Sequence, residues 1–215
     1  MKVMKHFALS LAVLLAATYA AAQDVSTLNP IARSYGILGF GYPAPKGDGW
    51  REIGSGPDYV QLIYAEQLGP DTINTRLAFE AHAFLIPDPS KAPDASVLAQ
   101  LSMSQRMQEF KDAQQELVAM SKIEPVQADV PMFQYTLVVK FDEKDRFVNY
   151  FVAMAADKSQ YFAAKLETQE NDFRDQPYYA PLLESLTALK FVAADKPKSD
   201  GATKPDNVPA PGVKN

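Results

Sequence analysis

The chain has 215 residues, with 21 basic and 26 acidic side chains, a net charge of −5, 47% hydrophobic residues and no cysteine. The missing thiol excludes disulfides, cysteine nucleophiles, thiolate metal sites and a cysteine-borne lipid anchor. The acidic balance disfavours nucleic acid and anionic head groups as partners.

At the start of the chain, Lys2 and Lys5 form a positive segment. Phe7 to Ala17 is an apolar run interrupted only by Ser10, and Ala20-Ala21-Ala22 precedes Gln23. This pattern predicts a cleavable signal peptide over residues 1–22, cut after Ala22. The expected location is the periplasm, with the extracellular space as the alternative. The rest keeps 19 basic and 26 acidic side chains, a net −7. No second apolar run is long enough to cross a bilayer, so no membrane insertion of the mature form is expected. Residues 23–192 suit one globular domain with a full core.

Tyr35 to Tyr42 is apolar and spaced by glycines. Trp50–Ile53 and Tyr59–Gln67 are predicted strands, joined by the Gly54-Ser55-Gly56-Pro57 turn. Thr75–Ile86 is a longer strand. It sets Leu77, Phe79, Ala81 and Ala83 on one face, and Ala78, Glu80, His82 and Phe84 on the other. The spacing of Met103, Met107, Phe110, Ala113, Leu117 and Met120 predicts a helix over Ser102–Met120. Asp94 or Ser96 is placed to cap a segment ahead of it. Phe133–Phe141, Phe147–Ala155 and Gln160–Thr168 then form a meander, with a polar turn at Asp142–Asp145. Phe147–Ala155 is apolar on both faces, which predicts cover on both sides of the sheet. A last helix is expected over Pro177–Lys190, with Tyr179, Leu182, Leu183, Leu186 and Leu189 as its apolar face. Residues 193–215 hold four prolines, four lysines, three aspartates and no aromatic residue. Such a segment buries too little apolar surface to offset chain entropy, so a disordered tail is expected.

This order of elements resembles the PsbP-like α/β/α sandwich superfamily over roughly residues 35 to 192. The likeness is carried by Tyr42-Pro43, Gly49-Trp50, Tyr150-Phe151-Val152, Leu183-Glu184-Ser185-Leu186 and Lys190-Phe191. The family takes its name from an extrinsic subunit of photosystem II and includes small Ran-binding proteins and bacterial envelope proteins. The resemblance implies an α+β fold: a single-domain α/β/α sandwich whose mainly antiparallel sheet is covered by helices. It also implies a non-catalytic module that docks on other proteins, here an envelope protein, with no catalytic residues to carry over.

The chemistry left to the mature chain is narrow. His6 falls in the signal peptide, so His82 is the one mature histidine. No H-E-x-x-H, G-x-S-x-G or S-x-x-K motif is present, and no metal or cofactor is expected. On its strand His82 reads as a half-buried residue bonded to a neighbour. Carboxylates cluster at Asp142, Glu143 and Asp145, and at Glu167, Glu170, Asp172 and Asp175. Both sets read as turn charges, with Asp172 or Asp175 as candidate helix caps. They leave a carboxylate-dependent hydrolase as one alternative function. A carrier of a small apolar ligand between sheet and Met-rich helix is another. Tyr59, Tyr178 and Tyr179 are the candidate partner contacts, since exposed tyrosines anchor protein interfaces.

Overall fold

The computed structural model describes residues 29–30, 35–69 and 72–191. The expected signal peptide and the segment at 193–215 lie outside the described residues. Strands β1 (Asn29–Pro30), β2 (Tyr35–Ile37), β3 (Phe40–Tyr42), β4 (Trp50–Ser55), β5 (Tyr59–Gly69) and β6 (Thr72–Leu85) precede the helix α1 (Ala95–Asp112). Strands β7 (Leu117–Met120), β8 (Glu124–Val126), β9 (Met132–Phe141), β10 (Lys144–Met154) and β11 (Gln160–Thr168) follow it. Helix α2 (Tyr179–Thr187) then leads into β12 (Lys190–Phe191).

Nine strands form one antiparallel sheet in the order β1-β4-β5-β6-β11-β10-β9-β7, with β8 also paired to β9. It consists of two meanders, β4-β5-β6 and β9-β10-β11, joined along β6 and β11. That seam sets Glu80 opposite Lys165, His82 opposite Ala163 and Phe84 opposite Tyr161. Strand alternation sorts the side chains. On one face Leu77, Phe79, Phe151, Ala153, Phe162 and Leu166 are buried beneath Leu182 and Leu186 of α2. The same core takes Ile37, Phe40 and Tyr42 from a second sheet of three strands, β12-β3-β2. On the opposite face Tyr135, Leu137, Val139, Val148, Tyr150 and Val152 pack with Ala99 and Phe110 of α1. Burying each large apolar side chain stabilises the fold by about 1.5–3 kcal/mol.

The helix-covered α/β/α sandwich expected from sequence is not what forms. The described residues are mostly strand, with two α-helices of 18 and 9 residues. α1 meets β7, β9 and β10. On the other face a three-stranded sheet shares the cover with α2. Apolar residues on both faces of β10 did signal double burial, but they carry no information about what does the covering.

Element ends differ too. α1 stops at Asp112, not Met120. Gln114 takes a left-handed φ of 57°, the Gln115 amide donates to the Phe110 carbonyl and the Gln114 amide to that of Lys111. This pair of bonds is a Schellman termination. Leu117 and Met120, in phase with the helix in sequence, belong instead to edge strand β7 on β9. α2 spans Tyr179–Thr187, so Pro181 occupies its first turn, where no amide partner is lost. The β9–β10 turn is two residues long, with Asp142 and Glu143 at φ 48° and 63°. Lys144 and Asp145 already pair with Phe141 and Lys140.

Candidate functional site

α1 lies on β9 and β10, so the same face of β11, β6 and β5 continues beside the helix. Register and alternation place Tyr59 of β5, Glu80, His82 and Phe84 of β6, and Tyr161, Ala163 and Lys165 of β11 on this stretch. Four rings form a ladder across three strands. Tyr59 stacks on His82 at 6.0 Å, His82 on Phe84 at 6.1 Å, and Phe84 on Tyr161 at 4.7 Å, with interplanar angles of 19–28°. All four are partly exposed. The turn before β5 fixes the outermost ring: a Cβ on Gly56 would run into the Tyr59 ring.

Beneath the ladder Glu80 is 3% exposed. Its Oε1 lies 2.6 Å from His82 Nε2 and its Oε2 3.2 Å from Lys165 Nζ. Burial pushes this carboxyl up, but the His82 bond and the Lys165 charge outweigh burial and hold it below the usual 4.5. Glu80 is therefore a carboxylate, and His82 Nε2–H donates to it. α1 leans over the pair with Ser102 and Arg106. These two, with Glu80, His82, Tyr150 and Lys165, line a cavity of about 20 Å³. That holds a water and not an apolar ligand. Ser102 Oγ shares a hydrogen bond of 2.8 Å with the Tyr135 hydroxyl. Arg106 donates to Glu109 at 2.5 Å and lies 5.9 Å from the Tyr150 ring centroid. Burial drives the Tyr135 phenol up to about 12 and raises that of Tyr150, so both remain neutral.

Of the tyrosines singled out in sequence, Tyr59 opens the ladder. Tyr178 and Tyr179 are 0% and 6% exposed, in the core under α2. The Tyr178 hydroxyl donates to Glu170 at 3.0 Å and that of Tyr179 to Gln134 at 3.3 Å. The start of α2 turns inward, so this pair offers no contact surface. His82 is bonded to its strand neighbour, as expected. Glu167 and Glu170 line one cleft and are each paired with an arginine: Glu167 with Arg146, and Glu170 with Arg76 at 2.6 Å. Asp172 precedes the 3-10 turn Phe173–Asp175 and caps no α-helix. Tyr161, Lys165, Ser102 and Arg106 were not singled out. Alternation would have placed the first two opposite Phe84 and Glu80, had the β6–β11 pairing been known.

No family model matches the chain, and no curated protein matches it. Solved structures with a distant likeness to this chain include the following three. A protein of Bacteroides thetaiotaomicron has a TM-score of 0.45 and 12% identity over 74% of this chain. The match spans 48% of the Bacteroides chain, about half its length. The Ran-binding protein Mog1p of Saccharomyces cerevisiae has a TM-score of 0.45 and 7% identity, over 76% of this chain and 97% of its own. LpqN of Mycobacterium tuberculosis, involved in cell envelope biogenesis, has a TM-score of 0.39 and 14% identity, over 77% of this chain and 91% of its own. Likenesses this distant carry no functional argument.

Proposed function

We propose that this chain is a non-catalytic binding module of the bacterial envelope that docks on a protein partner through the face around His82. The ladder Tyr59–His82–Phe84–Tyr161 carries the reading. Its rings are held by one another and by the close approach of Gly56, yet each keeps part of its surface in solvent. Aromatic side chains fixed in this way anchor interfaces at little cost in conformational entropy. Of the polar groups beneath, Glu80 is held between His82 and Lys165, and Ser102 bonds Tyr135. They lie beneath the rings and support the ladder. The signal-peptide pattern of residues 1–22 supports an envelope partner.

A photo-crosslinking amino acid introduced at Tyr59, Tyr161 or Glu143 in living cells tests this. Glu143 lies in the β9–β10 turn, away from the ladder. Adducts of discrete mass are expected from Tyr59 and Tyr161 and not from Glu143. Adducts absent from both ladder positions, or equal at all three, would overturn the reading.

A further inference from the structure

The chemistry of the partner follows from the charges around the ladder. Three loops close this end of the face: residues 56–58, 86–94 and 155–159. Two of them are tied to strand β6 and its end, because the Ala83 amide donates to the Asp58 carbonyl and the Ile86 amide to that of Ser159, both at 2.8 Å. These loops carry four acids, Asp58, Asp88, Asp94 and Asp157, and two bases, Lys91 and Lys158. Both bases are occupied. Lys91 pairs with Asp88 at 2.9 Å and Lys158 with Asp94 at 2.6 Å. Below the rings the pattern repeats, with Lys165 on Glu80 and Arg106 on Glu109. Every lysine and arginine at the site is thus held by an acid. Asp58 and Asp157 have no basic partner among the described residues, and Asp157 is bonded only within its own turn, by Ser159 at 2.7 Å.

The site is a set of aromatic edges with carboxylates in surplus at its rim. We infer that its occupant is a basic segment of a partner protein, with apolar side chains against Tyr59, Phe84 and Tyr161 and flanking Lys or Arg reaching Asp58 and Asp157. An acidic segment meets like charge here, and so does an anionic membrane surface. This inference rests on the docking reading and adds the sign of the partner's charge.

Fluorescence anisotropy on the full chain gives the test, with two short labelled peptides as probes: one of alternating leucine and arginine, the other of alternating leucine and glutamate. The arginine peptide is expected to bind and the glutamate peptide not. The double variant Asp58→Lys/Asp157→Lys should weaken binding of the arginine peptide about tenfold, as two reversed surface charges can. Glu143→Lys, the same kind of charge change far from the ladder, should leave it unchanged. Tyr59→Ala and Phe84→Ala should each weaken it as well, with circular dichroism confirming that each variant is folded. If both peptides bind with equal strength and depend on Tyr59 but not on Asp58 and Asp157, the docking face stands and the basic partner is wrong. If neither peptide binds, or if Glu143→Lys weakens binding as much as the rim variants, the inference is overturned; the crosslinking result still decides the docking reading.

Discussion

Glu80 shows what a single residue contributes to this fold. A buried carboxylate is tolerated because His82 and Lys165 meet it from two strands. Its folded-state pKa lies below the ordinary 4.5. The stability it adds is therefore complete above that value and fades as pH falls through the lower, folded one. Glu80→Gln leaves Lys165 buried without its counter-charge and should cost about 3 kcal/mol at neutral pH. The gap to the parent should narrow as pH is lowered from about 5 to about 2. Melting curves across that range check this, and a gap independent of pH would mean that Glu80 is not an ionised partner. The Glu80–His82 contact was legible in sequence, because alternate residues of a strand share a face. Lys165 was not, since it reaches Glu80 only through a pairing between strands 85 positions apart.

Among the elements, strands with clear alternation were legible nearly to their ends, and Gln160–Thr168 matches β11 in full. Helix ends were not. α1 terminates on a left-handed glutamine, a residue with no stop signal of its own, while the apolar phase runs on through Leu117 and Met120. A short apolar run fits a helix or a strand equally well, and here pairing with β9 decides. A side chain in the left-handed region costs about 1–2 kcal/mol, and glycine's greater freedom when unfolded returns about 0.5–1 kcal/mol of that. Gln114→Gly should thus raise stability by up to about 1 kcal/mol, read as a higher urea midpoint with an unchanged slope. A destabilised variant would show that the Gln114 side chain holds the turn by another contact.

At the scale of the molecule, the sheet divides two cores. Phe110 is 4% exposed in the core under α1 and Leu186 0% in the core under α2. Phe110→Ala and Leu186→Ala should each cost about 2–5 kcal/mol in denaturant melts. Because they lie on opposite faces without shared neighbours, the double variant should equal the sum to within about 0.5 kcal/mol. A loss below about 0.5 kcal/mol for either would mean that its face is not packed. Two covered faces were readable from β10. The identity of the cover was not, because β2, β3 and β12 are strands of two or three residues, too short to show a period. The shortest of them has a further effect. β12 pairs Lys190 with Gly41 and Phe191 with Phe40, joining positions 149 and 151 apart. β12 is the last described strand in the chain, so synthesis adds it after every other described element. A chain cut short before Phe191 leaves β3 open along one edge and Phe40 without the ring that meets it at 6.3 Å. Loss of the closing strand therefore presents an unpaired strand edge, open to pairing with another chain.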